Sequence, residues 1–389
     1  MAATLRWQTG AVTYYPGRAV VDLDAIAANV GRLRECAPTA QLMAVVKGDA
    51  YGHGLVPAAR AALRGGADWL GAAQLPEALA LRAAGITAPV LTWLYGPGAP
   101  LADVLRAGID ISAPAPWALA EIAAAARVTG TTARLHLKVD TGLGRGGSFL
   151  DTWTEMLHES LRLEAEGLVR LVGVWSHLAR ADEDGQPGVS DQIAVFDEAV
   201  RRAEAAGARV EVRHLANSAG TIAVPQAHYD LVRPGIAVYG LSPMPQTHPS
   251  PQVGLTPAMR VEADLHVVKG AEAGQGVSYG HTYVTSALTT LATVPLGYAD
   301  GIPRRASNAA PVQVAGRQVR IAGRVCMDQF VLDVGDLPVA AGEKAVLFGS
   351  GSQGEPTAQD WADAVGGISY EIVTQIGPRV PRVYRGTGA

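Results

Sequence analysis

The sequence predicts an α/β fold: a parallel (β/α)8, TIM-like barrel followed by a mostly β C-terminal domain. Two observations lead there. From about Val20 to Gly240, short β-rich apolar runs alternate with Ala/Leu/Arg/Glu helical patterns, and eight strand–helix units fit in that stretch. After Tyr239 the texture changes. Ser242–Pro257 is rich in Pro, Ser, Gln and Thr and reads as a linker, and short alternating strands separated by turn residues follow it. An open doubly wound sheet has the same βα period as the first half, so the period alone leaves both readings open. The expected division is residues 15–243 for the barrel and 244–389 for the β-rich domain, with residues 1–14 a candidate to pack with the latter.

The first extended run is Arg18–Leu23, and Asp24 reads as the N-cap of the helix after it. The eight barrel strands are expected near Leu42–Val46, Trp69–Ala72, Val90–Leu94, Ile109–Ser112, Arg134–Val139, Leu171–Ser176, Val210–Leu215 and Tyr229–Arg233. Helical patterns fill the gaps, for example Val56–Arg64, Pro76–Ala84, Pro116–Val128, Leu150–Ala165 and Ser190–Ala206. In the second domain, strands are expected at Ala258–Val268, Leu288–Leu296, Pro311–Val314, Gln318–Ala322, Gln329–Val334 and Lys344–Phe348. One helix, about Ala358–Val365, precedes the C-terminal segment.

Composition narrows the classes. The 389 residues suffice for about two domains. Hydrophobic residues make up 48% and charged residues 17%, which is a globular composition and not a disordered or coiled-coil one. Lys+Arg number 32 against 36 Asp+Glu, a net charge of −4, so there is no basic footprint for nucleic acid. Cys36 and Cys326 are the only cysteines, too few for a disulfide framework, which fits a reducing, cytoplasmic compartment. The start, MAATLRWQTG, has no apolar h-region, and no window of about 18 residues is apolar throughout. Neither a secretory signal nor a membrane span is therefore expected. Only four of the 32 basic residues are lysines: Lys47, Lys138, Lys269 and Lys344. Lys269 and Lys344 fall in turn-like segments, whereas Lys47 and Lys138 fall at strand ends of the barrel.

In a (β/α)8 barrel the C-terminal strand ends meet on one face, and phosphates bind after the last two strands. Those ends carry Lys47, Lys138 with Arg145 close behind, His177, Asn217 with Ser218, and Arg233 with Gly235. Lys47 follows an apolar run that buries its stem. A buried lysine loses its proton more readily and can then bond a carbonyl cofactor, which an always-protonated arginine cannot do. A strand-end lysine snorkelling to solvent is the alternative.

Gly142-x-Gly144-x-x-Gly147 matches a dinucleotide fingerprint only formally, because it sits on the fifth strand and lacks an acid about 20 residues on. It reads as a turn that sets Arg145 at the rim, either to hold a carboxylate bidentately or to stand solvated. His177 reads as a satisfied core histidine or as a ring stacked on a planar cofactor. The nine histidines show no metal spacing with Cys or Glu, so no metal site is expected. Taken alone, Tyr279 reads as a packed aromatic and Cys326 as a buried, inert thiol.

The motifs become specific when taken in order. They are AVVKGDAYGHG (Ala44–Gly54), LKVDTGLGRGG (Leu137–Gly147), SHLARAD (Ser176–Asp182), HLANSAG (His214–Gly220) and LVRPGIAVYG (Leu231–Gly240) in the first half. VSYGHTY (Val277–Tyr283), GYADG (Gly297–Gly301), GRVCMDQ (Gly323–Gln329) and ISYE (Ile368–Glu371) follow. Over nearly its whole length the chain resembles the alanine racemases.

The resemblance implies a pyridoxal 5′-phosphate enzyme that interconverts L- and D-alanine with two bases and supplies D-alanine for cell-wall peptidoglycan. It implies a homodimer whose active site is shared across subunits. Lys47 would bear the cofactor and act as one base, with Tyr279 of the second subunit as the other. Tyr51, Ser218, Gly235, Ile236 and Tyr370 would hold the phosphate, and Asn217 would lie against the cofactor. Arg233 would face the pyridine nitrogen and His177 would lie beside the ring. Arg145 and the Met327 amide would take the substrate carboxylate. Lys138, carbamylated in many relatives, and Asp328 would support them. Asp182, Tyr298, Arg304, Arg324 and Ile368 would line an access corridor. One small departure is Gly48, where relatives usually carry Ala. Three alternatives stay open: a racemase of serine or lysine, a decarboxylase of the same architecture, and a non-catalytic pyridoxal-phosphate carrier.

Overall fold

The computed structural model describes residues 15–183, 185–186 and 188–389. The packing expected of residues 1–14 lies outside the described residues. The chain divides into two compact units. One is Asp22–Ala258 with Tyr384–Ala389, and the other joins Met259–Val383 to the described residues before Asp22.

The chain enters through strand β1 (Gly17–Asp22), which belongs to the second unit's sheet. The barrel unit then carries β2 (Gln41–Val45), β3 (Trp69–Gln74), β4 (Val90–Leu94), β5 (Asp110–Ala113), β6 (Ala133–Lys138), β7 (Val169–Trp175), β8 (Val212–His214) and β9 (Leu231–Val232). Their order is β8-β7-β6-β5-β4-β3-β2-β9, and every registered pair is parallel. The gap between β9 and β8 is bridged by the Asp230 amide, which donates to the Arg213 carbonyl at 3.1 Å. The arrangement is therefore a nearly closed eight-stranded barrel and not an open sheet. Met43, Trp69, Leu91, Val172, Val212 and Leu231 form a buried cluster contributed by six of these strands. Strands covered on both faces read as short continuous apolar runs, which is why they were legible in the sequence.

The β unit contains β10 (Met259–Asp264), β11 (Val267–Ala271), β12 (Gly276–Val277), β13 (Tyr283–Val284), β14 (Thr289–Val294), β15 (Pro311–Val314), β16 (Arg317–Arg320), β17 (Phe330–Gly335), β18 (Lys344–Phe348) and β19 (Arg382–Arg385). A six-stranded sheet runs β16-β15-β18-β10-β1-β19, a three-stranded sheet runs β11-β14-β17, and β12-β13 is a hairpin. Ala271, Val277, Leu291 and Ala322 form one of its buried clusters.

Several expectations need correction. The N-cap of the helix Leu23–Cys36 is Asp22 and not Asp24: the Asp22 carboxylate accepts from the amides of Asp24 and Ala25, each at 3.0 Å. The run Ala258–Val268 is two strands in different sheets, because at Leu265–His266 the chain leaves β10 and starts β11. The stretch Ser242–Pro257 is anchored instead of loose. Ser242, Met244, Val253 and Leu255 are buried, and Asn29 bonds the Thr256 amide and carbonyl. Lys269 and Lys344 lie in strands, and Lys344 pairs with Glu262 and Asp264. Short helices at Leu101–Arg106 and Ser369–Thr374 carry too few residues to show a periodic pattern. Among the described residues, no helix is long and apolar enough to cross a membrane.

Candidate active site

Lys47 follows β2 by two residues, and the backbone after it is unusual. Gly48, Asp49, Ala50 and Tyr51 all have φ between 53° and 64°, a left-handed helical turn. The turn closes with bonds from the Ala50 amide to the Val46 carbonyl (2.8 Å) and from the Gly52 amide to the Gly48 carbonyl (2.9 Å). Each non-glycine residue held there costs about 1–2 kcal/mol, so the surroundings must enforce it. Two acids do so. Glu77 accepts from the Asp49 amide at 3.1 Å, and Asp49 accepts from the Leu55 amide at 2.7 Å. The turn delivers Lys47 and the buried Tyr51 from a single segment.

The Gly48 departure is explained by this geometry. Glycine sits at φ 64° with open space where a Cβ would stand. Gly48→Ala should lower the unfolding free energy by only about 1 kcal/mol, measured by urea titration. A loss above about 3 kcal/mol would mean that the turn tolerates no Cβ there.

The barrel mouth is cationic. Lys138, the last residue of β6, lies with its Nζ 4.6 Å from the Trp175 ring centre. Arg233, just past β9, is 6% exposed, and its Cζ is 5.0 Å from the same ring. Burial and the nearby Arg145 and Arg233 lower the Lys47 amine below its ordinary value. The same causes push Lys138 down to about 8. Burial, with Arg233, Arg145 and both lysines, holds His177 well below the usual histidine range, so its ring is neutral. Arg233 loses basicity through burial, but a guanidinium at neutral pH stays charged.

Arg233 has neutral partners. Its Nη2 donates to the carbonyls of Ser176 (2.7 Å) and Leu215 (3.2 Å) and to His177 Nδ1 (3.5 Å), and its Nη1 donates to His214 Nδ1 (3.3 Å). His214 continues into the barrel core: its Nε2 lies 2.9 Å from His136 Nδ1, and His136 Nε2 lies 3.2 Å from Asp110. Asp110 also pairs with Arg134 at 2.9 Å. An ionised carboxylate only accepts, so His136 Nε2–H must donate to it. His214 Nε2–H then donates to His136, and His214 Nδ1 is left to accept from Arg233. Both tautomers follow from the acid at the far end.

Sequence reasoning missed this relay and Trp175, which stacks on His214 at 5.6 Å and donates to Ser112 Oγ at 2.8 Å. A signal was available. His136 and Lys138 are two apart on one strand, hence on the same face of it.

A second corner gathers hydroxyls and amides. Ser218 Oγ accepts from the amides of Gly235 (2.8 Å) and Ala237 (3.4 Å), flanking Ile236. Tyr51 Oη approaches so closely that a Cβ on Gly235 would lie 2.2 Å from it. Burial raises the Tyr51 phenol, which keeps it a donor. Asn217 Oδ1 caps the helix Ser218–Ala223 through the Gly220 amide (3.0 Å) and so holds Ser218 in place. Arg145 and Asp182 are exposed on this unit.

The remaining candidates lie on the β unit. Tyr279 stands in the loop 278–282 between β12 and β13 and is 68% exposed. It is therefore not a packed aromatic. Ser278, Gly280 and His281 in that loop all have positive φ. Arg324 lies beside Gly280, and with Arg304 it lines a cavity of about 440 Å³. Met327 is 53% exposed and Tyr298 46% exposed on interlocked turns: the Tyr298 amide donates to the Cys326 carbonyl and the Ala299 amide to the Met327 carbonyl, each at 3.0 Å. Asp328 pairs with Arg379 at 2.7 Å. Cys326 is only partly buried, with its Sγ 3.3 Å from Ser278 Oγ. Ile368 is exposed, and Tyr370 is partly buried in the helix Ser369–Thr374.

Comparison with known proteins places the fold. The N-terminal domain of alanine racemase matches residues 21–243 and its C-terminal domain residues 258–384. An alanine racemase of Beutenbergia cavernae is 65% identical over 373 residues, covering 96% of this chain and 98% of that one. The crystal structure of alanine racemase from D-cycloserine-producing Streptomyces lavendulae superposes with a TM-score of 0.95 at 53% identity, covering 96% and 98% of the two chains. That of Bacillus anthracis with bound L-Ala-P gives 0.86 at 36% identity, covering 97% and 96%. Fold and similarity together define an isomerase of the barrel-plus-β-domain class. The chain belongs to the alanine racemase family.

Proposed function

We propose that the chain racemises alanine on pyridoxal 5′-phosphate held in the barrel mouth, in the cytoplasm, and that it works as a homodimer sharing each site across subunits. The observation that carries this reading is Lys47, a primary amine of lowered basicity set among cations at a strand end. The donor set fits the cofactor. Tyr51, the Ser218 hydroxyl and the backbone at Gly235 and Ile236 would cradle a phosphate, and the resemblance adds the Tyr370 hydroxyl. Arg233, surrounded by neutral groups, offers an N–H to a ring nitrogen. His177 is neutral and lies beside Arg233, as a ring neighbour must.

When bound, pyridoxal phosphate supplies a conjugated electron sink that acidifies the amino acid Cα proton. The protein residues do the rest. Arg145 and the Met327 amide hold the substrate carboxylate, so the Cα–H bond is oriented. Inversion needs proton transfer on both faces of Cα, because one base returning its proton to the same face restores the starting enantiomer. Lys47 Nζ serves one face and the Tyr279 hydroxyl of the second subunit serves the other. A phenol with an ordinary pKa near 10 needs help to act as a base. Neutral His177 can give it, since its Nδ1 faces Arg233 and leaves Nε2–H to donate. Lys138, pushed down to about 8, gives up its proton more readily than an ordinary lysine, and the neutral amine is the form that carbamylation requires.

Tyr279→Phe should slow proton removal from one alanine enantiomer by about 10²–10⁴-fold and from the other far less. Solvent deuterium incorporation into each enantiomer measures this. An equal fall for both would remove Tyr279 as a face-specific base. The reading as a whole is tested by circular dichroism of L- and D-alanine against a panel including serine and lysine, with the cofactor spectrum recorded. Alanine should lose its optical signal fastest, from either enantiomer. A cofactor spectrum without racemisation would make the chain a carrier instead.

A further inference from the structure

We propose that Gln192 is a positioning residue that ties together the two loops carrying Arg145 and His177. The inference rests on the reading of Arg145 as the carboxylate-binding arm. Gln192 lies in the first turn of the helix Val189–Ala205 and is 6% exposed. Its side chain reaches three places at once. Oε1 accepts from the Ala179 amide at 2.8 Å, while Nε2 donates to Thr141 Oγ1 at 3.0 Å and to the His177 carbonyl at 3.2 Å. The orientation of the amide is unambiguous, because an amide N–H can only donate and a carbonyl can only accept.

The bonds continue in both directions. Thr141 Oγ1 accepts from Gln192 and also shares a hydrogen bond with Ser176 Oγ at 2.9 Å. The Ser176 carbonyl in turn holds Arg233. On the other side, Thr141 is next to Asp140, whose carboxylate gathers the loop. Oδ1 accepts from the amides of Gly142 (2.9 Å) and Gly144 (3.1 Å), and Oδ2 accepts from the Arg145 amide (2.9 Å). These bonds hold Asp140 below the usual carboxylate range against the opposing effect of burial. The Arg145 main chain is thus rigid with respect to Thr141, and Gln192 sets Thr141 with respect to His177.

The arm itself is an exposed, flexible side chain. Where its head group lies depends on the anchoring of its backbone. Removing Gln192 leaves a buried hydroxyl, a carbonyl and an amide to find new partners, so both loops must shift. A shift of about 1 Å in a group that holds substrate costs up to about 10²-fold. A carboxylate contact made equally before and during reaction appears in KM with kcat nearly unchanged.

The test uses the full-length, cofactor-loaded protein and four variants: Gln192→Leu, Thr141→Val, Thr141→Ser and Arg145→Ala. Gln192→Leu and Thr141→Val should each raise KM for alanine about tenfold while kcat changes less than about threefold, and Thr141→Ser, which keeps the hydroxyl, should stay near the parent. Hydrogen–deuterium exchange on the cofactor-free chain should quicken at 141–147 and 177–180 together in the first two variants only. If Gln192→Leu does not fold, Thr141→Val carries the test. KM within twofold of the parent for the variants, while Arg145→Ala raises it, would overturn the role of Gln192 and leave the carboxylate reading standing. KM unmoved by Arg145→Ala would overturn both.

Discussion

Lys47→Ala is expected to lower kcat/KM for alanine racemisation by at least about 10³-fold in both directions while the fold persists. A single general base contributes about 10²–10⁴-fold, and this residue is also assigned the cofactor bond. Lys47→Arg should fare no better. A guanidinium does not give up its proton in a protein, so it can neither act as a base nor bond a carbonyl carbon. The structure sharpens the expectation. Lys47 is next to a left-handed turn whose geometry is set by backbone bonds and by Asp49 and Glu77, not by the lysine side chain. Truncating that side chain should leave the turn and Tyr51 in place. Circular dichroism from each enantiomer measures the loss. Borohydride reduction and peptide mapping of the parent should place the cofactor on the peptide containing Lys47. A label on Lys138 would overturn the assignment.

Arg233→Glu is expected to slow racemisation by about 10²–10³-fold, the scale of one lost electrostatic contact at a reacting centre, and to raise the share of turnovers that end in transamination. On the proposed reading, Arg233 would present an N–H to the ring nitrogen and so keep a proton off it. A protonated nitrogen makes a stronger electron sink and favours side reactions. The relay explains why the arginine can serve this way while buried. Its hydrogen bonds go to carbonyls and two neutral imidazoles, with the Trp175 ring against it, and the balancing carboxylate, Asp110, stands two histidines away. A glutamate at 233 would sit against His214 and His177 and draw protons toward them. Arg233→Lys separates charge from geometry: it keeps the cation but loses the two-pronged donor, and should fall between the parent and Glu. Pyruvate formed per racemisation event is the measurement. An unchanged partition in Arg233→Glu would sink the account.

How much of this was legible beforehand depends on where the information sits along the chain. The barrel strands are local runs of buried apolar residues, and each was found within a few positions. Most of the strand-end candidates of the barrel meet at one mouth because the parallel topology puts all C-terminal ends on one side. Local signals failed where a neighbour in space decided the outcome. Asp22 and Asp24 are both acceptable caps by type, and only the path of the chain at the helix start selects Asp22. The Ala258–Val268 run has one continuous pattern, yet Leu265 and His266 hand it from one sheet to another through bonds to Glu343 and Thr293.

Composition, periodicity and ordered motifs were enough to determine the barrel-plus-β architecture and the family, and they singled out Lys47 as the candidate lysine. Those depend on which residues occur and how they are spaced. Three things were decided only by tertiary structure. Ala50 and Tyr51 are residues that avoid the left-handed region, so their turn depends on its own backbone bonds, on Asp49 and on Glu77 from the next βα unit. Asp110, His136, His214 and Arg233 come from four strand ends or interiors, and their tautomers have no meaning until they touch. Gln192 carries no motif at all. Its importance lies in three hydrogen bonds to two loops that precede it in the chain, and only folding brings those groups within 3.2 Å.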